Sequence, residues 1–148
     1  MRVLLDTNIL LRTSQTDHAM HQHAVDAAAL LRAGGKTLCV VPQNLYEYWV
    51  VCTRPKGENG LGLSIAEAEM ELNKLTDLLT IVDDTPVILP AWRKLVIQHQ
   101  VIGKNAHDAR PVAAMIVHKI ERILTFNIAD FQRYKEIEAV SPMDVVKS

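Results

Sequence analysis

Little in this chain is extreme, and each shortage removes a class of protein. No sign of charge dominates: the formal net charge is -1 and the pI about 6.6, so any grip on nucleic acid has to come from a local patch. No window approaches the ~18 apolar residues of a membrane span. The apolar run at the N-terminus is broken at Asp6 and is too short for a secretory signal. Cysteine is scarce. Cys39 and Cys52 both lie in apolar surroundings and are expected as buried, reduced thiols rather than a disulfide, which places the protein in the cytoplasm. Repeats and low-complexity segments are absent, and Gly and Pro gather in one loop of any length, RPKGENGLG at 54–62.

What is there is an apolar chain of ordinary charge. At 49% hydrophobic and 22% charged, its 148 residues can fill one core, and 1–148 reads as a single domain without disorder. Short apolar runs alternate with longer helical patterns, the mark of an α/β fold. Strands are expected at 2–5, 37–41, 80–82, 122–126 and 138–140, the last an edge strand before a short polar tail. A helix is predicted over 18–32, where Ala24, Ala27, Ala28 and Leu31 follow the 3.6-residue period, with Asp17 as N-cap and Gly34 and Gly35 as the stop. Others are expected at 7–13, at 42–54 behind Pro42, at 64–79 behind a Ser64/Glu67 capping box, at 86–100 behind Pro86, and at 107–119. Residues 128–134 form a turn or short helix.

The acids fall in a pattern on this frame. VLLDTNILL, at 3–11, sets Asp6 at the carboxyl end of the first strand. Glu47 follows the second strand within about 1.5 helical turns. Asn127 and Asp130 come directly after the fourth strand, and Asp108 opens the helix before it. Ligands of parallel sheets collect at the carboxyl ends of their strands. Carboxylates gathered there repel one another by several kcal/mol at ~4 Å, and a divalent cation removes the conflict. All-oxygen ligation suits Mg²⁺ or Mn²⁺, and such a site points to phosphodiester hydrolysis. Each acid also has a structural reading. Asp6 and Asn127 suit helix caps, and Asp108 as an N-cap would put Pro111 in a tolerated first turn. Glu47 sits among Leu45, Tyr46, Tyr48 and Trp49, an apolar setting in which a carboxylate wants a partner. His18, His21 and His23 scatter around their helix and read as surface residues, whereas His107, beside Asp108, is better placed.

Four motifs in this order, VLLDTNILL, NLYEYW, HDAR and LTFNIADF, resemble the PIN-domain ribonucleases, and most closely the VapC-type toxins of bacterial toxin–antitoxin pairs. The similarity runs from Val3 to about Pro142. It implies a three-layer fold with a five-stranded parallel sheet in the order 3-2-1-4-5, and Mg²⁺- or Mn²⁺-dependent endonucleolytic cleavage of RNA. By motif, Asp6, Glu47 and Asp108 match the first three acids, with Asp6 and Asp108 on the metal and Glu47 binding it directly or through water. The fourth position lies between Asn127, where the family often has Asp, and Asp130 in the DF pair. Asn8 and Thr125 take supporting roles. The resemblance also implies a homodimer and a cognate antitoxin whose tail covers the acidic site; the helix at 64–79 is a candidate for part of its groove. Arg54, Lys104 and Arg110 are the candidate phosphate contacts.

Two other readings stand beside the nuclease. One is a phosphoacceptor α/β domain with Asp6 as nucleophile, which wants paired acids that Asp6 lacks. The other is a catalytically weak or inactive PIN-fold module that binds RNA or protein, which Asn127 and Pro111, both departures from the family pattern, keep open.

Overall fold

The computed structural model describes residues 1–148. Its centre is one five-stranded sheet, all parallel: β1 (Arg2–Leu5), β2 (Thr37–Val40), β3 (Thr80–Ile81), β4 (Arg122–Leu124) and β5 (Glu138–Val140). The order is β3-β2-β1-β4-β5, as the resemblance implied. β1 lies at the centre, with Leu4 opposite Cys39 on one side and Leu5 opposite Leu124 on the other. A central parallel strand is covered on both faces, which is why β1 is apolar without alternation.

Alternate side chains of the same strands feed two cores. Val3, Leu5, Leu38, Val40 and Leu124 face α1 (Thr7–Ser14), α2 (His21–Ala33), α3 (Pro42–Thr53) and α4 (Ile65–Leu78). Leu4, Cys39, Val41 and Ile123 face α5 (Ile88–Gln98) and α6 (Asn105–His118). The result is three layers, helix on sheet on helix. Both cysteines are free and buried, and burial pushes both thiols up, so neither is poised for chemistry. No helix is long and apolar enough to cross a membrane.

Several local expectations hold and several shift. The Ser64/Glu67 capping box is present, Ser64 Oγ accepting from the Glu67 amide at 3.1 Å and Glu67 Oε1 from the Ser64 amide at 2.9 Å. α2 starts at His21 behind Met20 rather than at His18 behind Asp17, because the His18 ring accepts from the Met20 amide and holds the preceding residues in a turn. α5 starts at Ile88, with Pro86 left in the turn before it. α6 starts two residues early, at Asn105, which makes Asp108 a first-turn residue and not the cap, and puts Pro111 inside the helix. The polar tail is instead a helix, α7 (Pro142–Lys147). Ser141 and Asp144 cap it reciprocally, and Val145 lays it against the α1–α4 core.

Candidate active site

β1 and β4 are neighbours, so their carboxyl ends deliver Asp6 and Thr125 side by side. The Asp6 amide continues the ladder by donating to the Leu124 carbonyl at 3.0 Å. Its carboxylate is then held on both oxygens. Oδ1 accepts from the Thr7 amide at 2.8 Å, so Asp6 does cap α1. Oδ2 accepts from the fully buried Thr125 hydroxyl at 2.7 Å. Thr125 Oγ1 is fixed in turn by the Asn8 amide group at 3.3 Å and the Asn127 backbone amide at 3.0 Å. The capping reading and the site reading are both true of Asp6: one oxygen serves the helix and the other the network.

From Asp6 the chain opens onto a cleft of about 260 Å³ whose walls include Asp6, Asn8, Glu47, Asp108, Asn127 and Asp130. The three acids on three separate elements therefore meet, and the two candidates for the fourth position join them. Only Arg54 among the proposed phosphate contacts lies apart: its Nη2 donates to the Asn59 carbonyl and ties down its own loop. Lys104 and Arg110 border an adjoining hollow with Gln43, Glu47, His107 and Asp108.

The electrostatics are those of crowded carboxylates. Burial raises the Asp6 carboxyl from 3.8 to about 6, the charges of Glu47 and Asp108 push the same way, and the bonds from Thr125 and Thr7 hold it back. Asp108 is also raised, first by partial burial, then by Asp130 and Glu47, against His107 and Lys104. As the side chains stand, no three of the His, Cys, Asp or Glu groups converge on one point as a complete ligand cage. The donor set nonetheless fits a hard cation. It is all oxygen, it is partly desolvated, and its members destabilise one another's charge; Mg²⁺ in particular uses one or two carboxylates and keeps several waters.

Two residues outside the sequence motifs' assigned roles hold Glu47 and Thr7. Asn44, buried on α3, accepts from the Val41 amide at 3.0 Å and donates to Thr7 Oγ1 at 3.2 Å. Gln43 donates to Glu47 Oε1 at 2.7 Å and to the His107 carbonyl at 2.9 Å, bridging α3 to α6. The signal for Gln43 was in the sequence, since positions 43 and 47 are one helical turn apart. The signal for the His107 carbonyl as second acceptor is Pro111, four residues on, which has no amide hydrogen to give it once the helix starts at Asn105. The histidines of the 18–23 segment make only local bonds, His21 Nδ1 to the Arg12 carbonyl among them.

A model of the PIN domain family matches residues 3–137 of the chain. Solved structures with the same fold include VapBC2 from Rickettsia felis bound to a promoter DNA fragment, 19% identical over 95% of this chain and 98% of that one, with a TM-score of 0.70. VapBC-1 from nontypeable Haemophilus influenzae is 16% identical over 97% and 99%, at a TM-score of 0.69. VapC20 from Mycobacterium tuberculosis, a toxin that cleaves the sarcin-ricin loop, is 18% identical over 82% and 86%, at a TM-score of 0.57. At these identities the likeness is one of fold. No curated protein matches the sequence.

Proposed function

The chain belongs to the PIN-domain family, and from that premise we propose that it is a metal-dependent endoribonuclease, the toxin of a toxin–antitoxin pair. The observation that carries the reading is the meeting of Asp6, Glu47, Asp108 and Asp130 around one cleft, with Asp6 bonded on both oxygens. A carboxylate fixed this way, at a cost in desolvation, is poorly explained by capping alone.

Asp6 and Asp108, with Glu47, are the residues that would hold Mg²⁺ or Mn²⁺. Such an ion lowers the pKa of a bound water and offsets charge on the phosphate. The chain's own residues prepare the rest. Thr125 and the Thr7 amide keep both Asp6 oxygens in place, leaving their remaining lone pairs to the cleft. Gln43 holds Glu47 Oε1, and Thr7 Oγ1 lies 3.4 Å from Oε2. Asp130 adds negative charge beside Asp108, and Asn127 lends its backbone amide to the Thr125 hydroxyl. Lys104 and Arg110 border the adjoining hollow and would receive the phosphates that flank the cut.

The partners follow from the same reading. An antitoxin segment fits the groove among α1, α2 and α4, where Leu10, Ala28, Leu75 and Leu78 line a hollow of about 360 Å³, and an Arg in its tail would complement the acids. Exposed Tyr46 and Val50 on α3 offer a homodimer contact. The experiment is a Mn²⁺ and Mg²⁺ titration of cleavage on a structured RNA, with wild type and Asp6→Asn. Asn retains the capping oxygen, so the fold is kept. We expect metal-dependent cuts by wild type and a loss of about 10²-fold or more in the variant. Cleavage by Asp6→Asn at the wild-type rate overturns the assignment. A protein that binds RNA and cuts none, with or without metal, is the inactive module instead.

A further inference from the structure

Next to the acid cleft lies a cavity that the nuclease reading leaves unused. It is a space of about 410 Å³ between the start of α5 and the first turns of α6, lined by Thr85, Ile88, Trp92, Ala106, His107 and Arg110. An adjoining hollow links the two by shared walls: His107 and Arg110 line the cavity and that hollow, and Glu47 and Asp108 line the hollow and the acid cleft.

Its chemistry is mixed in a particular way. Trp92 and Ile88 provide apolar wall, and Leu89 at the mouth is 69% exposed. The Trp92 ring is fixed by its indole N–H, which donates to the Ala106 carbonyl at 2.7 Å and leaves the ring no other polar demand. Arg110 stands at the edge, bonded to Asp84 at 3.0 Å through Nη2, and a guanidinium has further N–H groups to give. Thr85 adds the independent observation. Its hydroxyl oxygen is buried and has no hydrogen-bond partner, although buried hydroxyls are nearly always paired. A fixed indole, a cation at the rim and an unclaimed hydroxyl just beneath the wall, within a turn about χ1 of the cavity, describe a pocket for a flat ring with polar edges joined to a phosphate. Single-stranded RNA is read by stacking its unpaired bases on aromatic side chains and bonding their edges.

We propose that this cavity is a nucleobase subsite, taking one unpaired base of the RNA beside the cleaved phosphate. It rests on the nuclease reading above. Trp92 provides the stacking surface, Thr85 turns about χ1 to bring its free hydroxyl to the edge of the base, and Arg110 meets the adjoining phosphate. A duplex, whose bases are already stacked and paired, cannot use it.

The test separates this from the nuclease assignment. The chain has two tryptophans, so Trp49→Phe leaves Trp92 as the sole reporter. A single-stranded oligoribonucleotide is titrated into metal-free protein in chelator, beside the same strand annealed to its complement. Quenching of Trp92 by the single strand alone is expected. Trp92→Phe and Trp92→Leu both lose the bond to Ala106, so their difference, read by the anisotropy of a dye-labelled single strand, isolates the aromatic face: Phe retains binding and Leu weakens it about tenfold. Thr85→Val removes a hydroxyl that no protein group uses. It leaves stability unchanged and raises KM about tenfold for the preferred base among homopolymers, with kcat unchanged. Equal binding by Phe and Leu variants, or a Thr85→Val enzyme with wild-type base preference, overturns the subsite while metal-dependent cleavage stands. A Trp92 signal that follows protein concentration and ignores RNA assigns the cavity to a contact between copies, and also overturns it. If wild type cuts no RNA the nuclease reading falls, and the quenching still decides whether a base enters.

Discussion

Pro111 has no amide hydrogen to give the His107 carbonyl four residues earlier in α6, and that carbonyl accepts instead from Gln43 Nε2 at 2.9 Å. The same Gln43 amide group donates to Glu47 Oε1 at 2.7 Å. A proline in mid-helix thus frees an oxygen that ties α3 to α6 beside the acids. The departure from the family pattern that kept an inactive module open supplies an anchor for the Glu47 carboxylate. Interior proline is expensive, about 3 kcal/mol or more, so an anchor built this way trades stability for position.

Pro111→Ala tests that trade. The new amide competes for the His107 carbonyl and releases Gln43. The variant is expected to be more stable by about 1–3 kcal/mol, less than the full interior penalty because a buried ring is lost. Cleavage falls about tenfold, within the range for losing a partner behind a ligand. Gln43→Ala shows the same loss of activity with no gain in stability. Urea denaturation and initial rates decide it, and a Pro111→Ala protein of unchanged activity would show that Gln43 does not depend on the kink.

The Asp6 carboxyl gives a pH dependence of definite sign. It is raised from 3.8 to about 6, by burial first and by Glu47 and Asp108 next. A raised carboxyl favours the folded state when protonated. Its stabilising contribution is complete below the unfolded value of 3.8 and is lost as pH rises through about 6. Ionising it in the fold at neutral pH costs about 3 kcal/mol. Metal-free Asp6→Asn is therefore expected to exceed wild type in stability by up to about 3 kcal/mol above pH 6, and the gap should close by pH 4. Adding Mg²⁺ at pH 7.5 raises the wild-type Tm and leaves the variant where it was. Parallel pH profiles for the two proteins would falsify the assignment.

Thr125 is legible only through Asp6. Thr125→Val keeps the volume of a fully buried side chain and deletes the donor to Asp6 Oδ2. That donor lowers the Asp6 carboxyl, so its removal lifts it further. Activity is expected to fall about 10- to 100-fold, with the acid limb of the pH–rate profile displaced to higher pH. A uniform loss across pH would mean that Thr125 serves packing and not the carboxylate.

The strands and the acids were readable because each rests on a local or periodic signal, whereas the order of the sheet came from the resemblance of four motifs to a known family. Apolar runs mark buried parallel strands, and the carboxyl ends of those strands place Asp6 and Asp130 without any contact being known. Where the reading slipped, the deciding force was tertiary. The turn before α2 is set by a side-chain bond of His18, and α7 is held by packing against the α1–α4 core. Neither leaves a period in the sequence. The polar network behaved likewise. Gln43 and Glu47 could be paired by helical spacing, but the Asn44–Thr7 bond joins positions 37 residues apart, and no single sequence announces such a pair.

Asn44 carries a stability prediction for that reason. It satisfies the Val41 amide at the head of α3, where Pro42 follows, and it braces Thr7. Asn44→Leu keeps the volume, leaves the Val41 amide buried without a partner and strips Thr7 Oγ1 of its donor, so that its one remaining bond is the 3.4 Å contact with Glu47 Oε2. A loss of about 1–3 kcal/mol is expected by urea denaturation, together with a weaker hold on Glu47 through Thr7. A neutral outcome would mean that water reaches the Val41 amide.

The fourth acidic position can be assigned by a pair of variants. Asn127 and Asp130 both line the cleft, but their contributions differ in kind. Asn127 gives its backbone amide to Thr125 Oγ1 at 3.0 Å, a bond that any residue at 127 can make. Asp130 gives charge, and Asp108 feels it as the strongest of its acidic neighbours. Removing the Asn127 side chain therefore leaves the network intact, whereas neutralising Asp130 removes attraction for a cation and repulsion from Asp108 together. Asp130→Asn is expected to weaken Mn²⁺ activation about tenfold or more and to bring the Asp108 carboxyl back toward its ordinary range. Asn127→Ala stays within about threefold of wild type, close to what a lost peripheral contact costs. Metal titrations of cleavage read both. The reverse ranking would put the amide of Asn127 on the cation and leave Asp130 as a solvated residue of its turn.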